Sequence, residues 1–207
     1  MAPITNALHF CMRMVFRELP EEANILCVGA GTGMEVLALT QEHPKWRFTL
    51  VEPSPAMMQQ GREQMEANGL TARCTFYEGY LNTLPHDEAH PFDAATCLLV
   101  SQFIMVNEDR ISLYADIARR LRPGGLFINA DITSDMSSVE YQNLVKVWQA
   151  MFLYADFSAD ISHLGKMVAV LPAKEVEALL TAAGFKEPTL FYQSLLIHAW
   201  FSRVGGK

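Results

Sequence analysis

Short apolar runs and amphipathic stretches alternate along the first two thirds of the chain. Residues 24–28 read as a strand and 33–43 as the helix after it; 47–52 form a second strand and 55–68 a second helix. Ser54 is placed to cap that second helix, Pro55 stands at its first position, and Asn68-Gly69 ends it. Strands follow at 72–77 and, after a loop marked by Pro85 and Pro91, at 92–99. A helix over 107–121, a turn at Pro123-Gly124-Gly125 and a strand over 126–131 complete the series. Strands separated by helices imply right-handed crossovers and a parallel sheet covered on both faces. The nearly unbroken apolar run 94–100 suits a strand buried on both sides.

The texture changes after residue 131. Residues 137–155 read as one long helix carrying Tyr141, Leu144, Val145, Trp148, Phe152 and Tyr154, with the aromatic series running on to Phe157. A mixed segment, 156–171, holds His163, Gly165 and Lys166. Residues 173–183 form a helix stopped by Gly184, and 188–192 and 194–203 read as two strands joined by a tight turn at Gln193. Near the start, residues 5–19 form a helix bearing Phe10, Arg13, Met14 and Arg17. Neither a repeat nor a long linker breaks the chain, so 1–207 reads as one domain.

Composition narrows the function. Half of the 207 residues are hydrophobic and 19% are charged, against roughly 25% in a typical soluble domain. A well-buried sheet accounts for this, together with apolar surface for a ligand or a second subunit of a homodimer. The net charge of −7 argues against nucleic acid as a partner. Arg119, Arg120 and Arg122 are placed to face a helix dipole. Cys11, Cys27, Cys74 and Cys97 are widely spaced and read as small buried hydrophobes, which fits a reducing compartment. No stretch approaches the ~20 apolar residues of a membrane span, and no basic leader precedes an apolar run. A cytoplasmic protein without a membrane partner is expected.

The chemistry-bearing feature is Ile25-Leu-Cys-Val-Gly-Ala-Gly-Thr-Gly33, an apolar strand entering a Gly-x-Gly-x-Gly turn ahead of a helix. Such a turn lets backbone approach a ligand closely and leaves helix N–H groups facing it. It could serve NAD or S-adenosylmethionine (SAM). The dinucleotide fingerprint needs a third glycine at position 34, where this chain has Met34. Glu52 ends the second strand, where a carboxylate can accept hydrogen bonds from both hydroxyls of an adenosine ribose.

Three segments in this order, 28–33, Val51-Glu-Pro-Ser-Pro-Ala-Met57 and Leu121-Arg-Pro-Gly-Gly-Leu-Phe127, resemble the first, second and post-four motifs of the class I SAM-dependent methyltransferases. The resemblance covers about residues 20–131 and implies an α/β, three-layer Rossmann-like fold. Its sheet would be mostly parallel and seven-stranded, with a C-terminal antiparallel strand and a helical lid insertion after strand five. It implies SAM as cofactor, held by Val28, Gly29, Ala30, Gly31, Gly33, Glu52, Pro53, Met57, Gly79, Tyr80, Leu81 and Leu98. Residues 1–23 would be a helical cover from which Arg13 pairs with the cofactor carboxylate, and 132–172 a lid or substrate segment. Two departures stand out: Cys27 replaces the acid often found before the first glycine, and Glu78-Gly-Tyr80 stands where Gly-Asp is common. Tyr80 or Leu81 would then meet the adenine. The layout of the lid and final helix also faintly resembles carboxy-SAM synthases.

The acceptor is less legible. Leu98-Leu-Val-Ser-Gln102 is unlike the Asn-Pro-Pro-Tyr motif of enzymes that methylate adenine or glutamine nitrogens. With leucine at 98, Asp131 alone is too poor an oxygen set for magnesium, and the six histidines show no zinc spacing. Asp131, at the end of strand five, is the first candidate for orienting or deprotonating an acceptor, followed by His163 and Tyr154. The expected activity is methyl transfer from SAM to a small, partly apolar molecule. The alternatives are a SAM- or nucleotide-binding protein that does not methylate, and an NAD-dependent oxidoreductase.

Overall fold

The computed structural model describes residues 2–154 and 161–205. Seven strands form one sheet in the order β3-β2-β1-β4-β5-β7-β6. They are β1 (Asn24–Val28), β2 (Arg47–Glu52), β3 (Cys74–Glu78), β4 (Phe92–Leu98), β5 (Leu121–Ile132), β6 (Phe185–Ser194) and β7 (Ile197–Val204). The first five pair in parallel, and β7 runs antiparallel to both β5 and β6. One strand therefore opposes the rest. The order reverses between β1 and β4, and their carboxyl ends open a crevice at that switch point.

Helices α1 (Ala2–Phe16), α2 (Met34–Thr40) and α3 (Pro55–Ala67) cover one face. Met12, Phe16, Val36, Leu39 and Met65 pack there against Ile25, Phe48 and Leu50. The other face carries α4 (Asn107–Arg120) and α6 (Ala173–Ala182), whose Tyr114, Ile117, Val176 and Leu180 meet Leu26, Phe127 and Trp200. Helix α5 (Val139–Tyr154) packs over the β6–β7 turn through Val145 and Trp148 against Leu196 and Ile197. Ala155, expected to end this helix, and Phe157, expected to end its aromatic series, lie outside the described residues. Among the described residues, no helix is long and apolar enough to cross a membrane.

Three expectations need correction. Strand β5 begins at Leu121 rather than Leu126: Leu121 pairs with Phe92, the register shifts, and Leu126 resumes opposite Ala94. The Pro-Gly-Gly segment is a bulge inside the strand, with Gly124 at φ 74°. The final turn lies at Leu195-Leu196, between the paired Ser194 and Ile197, with Leu195 at φ 53°. Lastly, the arginines do more than face a helix end. Arg120 is buried, binds Asp116 at 2.8 Å, and donates to the carbonyls of Leu81 and Leu84 at 3.0 and 2.7 Å. Arg119 also pairs with Asp116, and Arg122 with Asp93.

Candidate functional site

At the switch point, β1 delivers a loop in which Gly29, Gly31 and Gly33 all have positive φ, at 64°, 54° and 76°. A side chain at Gly29 would drive its Cβ into the Val100 side chain, so the loop can lie this close to the wall after β4 only as glycine. At Gly31 a Cβ would meet no protein atom within 4 Å; it would enter an open cleft. Glu52 is buried at the end of β2 and holds this loop in shape. Its Oε2 accepts from the Gly31 N–H at 2.9 Å and its Oε1 from the Ser54 N–H at 2.9 Å. Each oxygen keeps a second lone pair for a ligand.

The cleft measures about 500 Å³, a size that suits a small-molecule ligand. It gathers Val28, Gly29, Gly31, Glu52, Pro53, Met57, Gly79, Tyr80, Leu81 and Leu98 from β1, β2 and the loops that follow them, the first turn of α3, the turn after β3, and β4. Tyr80 is 69% exposed at its rim, and Leu81 is buried in its floor. Three expected cofactor residues sit elsewhere. Ala30 packs into the core, Gly33 backs against Met65, and Arg13 lines a separate groove between α1 and α2. There Arg13 donates to Gln41 at 2.8 Å and pairs with Glu42 at 3.3 Å.

The catalytic candidates are not brought together. Asp131 is fully buried: its Oδ2 accepts from Arg110 Nη1 at 2.7 Å and from Ser101 Oγ at 3.0 Å. Burial pushes its pKa up to about 6, against the opposing pull of Arg110. It does not line the cleft, and Arg110 Nε ties the same node to the Ile104 carbonyl at 2.7 Å. Asp131 thus anchors the segment that forms the cleft wall. His163 lines a neighbouring groove, and Tyr154 is 94% exposed at the end of α5.

That wall is built of apolar residues that carry no chemical signature in the sequence. Leu99, Val100, Phe103, Ile104 and, from α4, Leu113 line the cleft opposite the glycine loop. Leu99 adopts φ 58°, which turns the chain sharply out of β4. A signal for the anchor did exist. Arg110 shares the helical spacing of Tyr114, Ile117 and Leu121, so an arginine stands on the buried stripe of α4. A further buried acid lies beneath the loop, where Glu35 accepts from Thr96 Oγ1 at 2.8 Å and burial pushes its pKa up to about 7.

Comparison with known proteins agrees with this geometry. Residues 25–125 match a family model described as a methyltransferase domain. None of the curated proteins matches the sequence. Among solved structures, a methyltransferase of Methanosarcina mazei shares the fold at TM-score 0.70 and 16% identity, over 94% of this chain and 98% of its own. A possible exported protein of Bordetella parapertussis superposes at TM-score 0.75 with 17% identity, covering 98% and 69%. Human N-acetylserotonin methyltransferase, in complex with SAM, does so at TM-score 0.66 and 15% identity, covering 97% and 52%. This chain spans between 52% and 57% of several such methyltransferases. Residues 25–125 thus match a methyltransferase domain, and the strand order and glycine loop are consistent with the fold of the class I SAM-dependent methyltransferase superfamily.

Proposed function

We propose that this protein is a SAM-dependent methyltransferase acting on a small, partly apolar molecule. The observation that carries this reading is the cradle itself: a glycine loop whose Gly31 opens onto the cleft, closed by a buried Glu52 with lone pairs to spare. Gly29 and Gly31 lie where backbone can approach the amino-acid part of the cofactor. Glu52 takes the ribose hydroxyls, and Tyr80 and Leu81 take the adenine. Bound SAM supplies a methyl group activated by its sulfonium. The residues around it align and exclude water: Val100, Phe103 and Ile104 form an apolar wall, and Glu52 and Tyr80 are the only ionisable side chains lining the cleft among the described residues. Asp131 serves this reaction as a positioning residue, through Arg110 and Ser101.

Calorimetric titration with SAM, S-adenosylhomocysteine (SAH) and NAD tests the reading. Micromolar binding of both sulfur compounds and none of NAD is expected. Binding of NAD alone would instead favour an oxidoreductase, and loss of all three would leave the cradle without this ligand.

A further inference from the structure

We propose that the groove beside the cofactor cleft is the acceptor site and that it selects an apolar molecule carrying an anionic group; this rests on the methyltransferase reading. The groove has a volume of about 490 Å³ and is lined by Phe103, Ser162, His163, Lys166, Met167 and Val168. Phe103 belongs to both spaces, so the groove adjoins the cleft.

The groove is a built feature. The Ala169 N–H donates to the Gln102 carbonyl at 2.8 Å, which joins its outer loop to the wall after β4. The His163 carbonyl accepts from the N–H groups of Lys166, Met167 and Val168 at 3.0, 2.9 and 3.1 Å. Gly165 closes this turn at φ 75°, and a Cβ there would lie 2.7 Å from Met136 Cε. The left-handed backbone there favours glycine.

Its lining states its preference. Phe103 is 62% exposed and Met167 71%, two large apolar side chains held toward water by loops bonded to each other. An apolar ligand body laid between them removes that surface from water. The chain carries 23 acidic against 16 basic residues, yet no acidic side chain lines this groove among the described residues. Among the described residues its ionisable side chains are His163 and Lys166, and the Lys166 ammonium forms no ion pair with any of them. A cation beside an apolar wall in an acidic protein selects an anion attached to an apolar body.

Three probes with one body and different charge decide it: 3-phenylpropanoate, 3-phenylpropan-1-ol and 3-phenylpropylamine, titrated by protein-observed NMR into SAH-saturated protein at low salt. The acid is expected to bind at least tenfold more tightly than the alcohol, with the amine weakest. Lys166→Glu should erase the acid's advantage, Lys166→Arg should keep it, and Phe103→Ser should weaken all three. An acid no tighter than the alcohol, or an advantage that survives Lys166→Glu, overturns the proposal. SAH affinity, read separately, should be the same in wild type and Lys166→Glu. A wild type that takes no SAH overturns the cofactor reading instead, whatever the probes do.

Discussion

Glu52 holds the glycine loop and, in the function proposed above, also takes the cofactor's ribose. In the free protein it accepts the N–H groups of Gly31 and Ser54, so its loss loosens the loop as well as removing the proposed ribose partner. Glu52→Ala should weaken SAH binding by roughly 1–3 kcal/mol, the cost of leaving polar partners unpaired. Unchanged affinity in calorimetry would remove Glu52 from the cofactor site. Glu35 supports a prediction with a defined sign. Its folded pKa, about 7, lies above that of an unfolded glutamate because burial disfavours the charge. Its contribution to stability is therefore complete below the unfolded value and is lost as pH rises toward about 7. Glu35→Gln keeps an acceptor for Thr96 and cannot ionise. Its urea-unfolding stability relative to wild type should rise between pH 5 and 8, by roughly 2–4 kcal/mol for a shift of this size. A constant difference across that range would refute the assignment.

At the level of elements, the wall after β4 depends on an ion pair formed by the two elements that follow it. Arg110 on α4 and Asp131 on β5 are both fully buried, and each also holds the Ser101–Ile104 segment. Asp131→Asn should destabilise the fold by about 3–5 kcal/mol, since it strands a buried guanidinium, and should weaken SAH binding by disturbing Val100 against Gly29. Equilibrium unfolding that shows no loss would demote the pair. This node also marks where the sequence stops being legible. The bounds of β1 and β2 can be read because apolar runs there end in polar or glycine residues. An acid closing a strand looks catalytic until its partner is known, and Arg110 reaches it only through the packing of α4. The turn at Leu195-Leu196 escaped because neither residue is a turn former; its positive φ is imposed by the pairing of β6 with β7. The cleft wall escaped for a related reason, since an apolar loop reads as core.

Across the molecule, the sheet core and the cleft are fastened differently, and ligand binding should register that difference. Strands β1, β4 and β5 are sealed by helices on both faces, whereas the cleft is made of loops joined at the carboxyl edge. Helix α5 buries only Val145 and Trp148 along its described length. Native-state hydrogen exchange should therefore find the amides of α5 opening well below the free energy of global unfolding, and those of β1 and β4 only with it. SAH at a hundred times its Kd should add about 2.7 kcal/mol to global stability, raising Tm by roughly 5–10 °C for a chain of this size. That stabilisation should be accompanied by slower exchange at Gly29–Gly33 and Leu99–Ile104, the two facing walls of the cleft. A Tm rise with exchange slowed at Arg13 and Gln41 instead would mean that the ligand sits in the outer groove beside α1. In that case the glycine loop would be a structural turn, and the active site would have to be sought on the opposite side of α2.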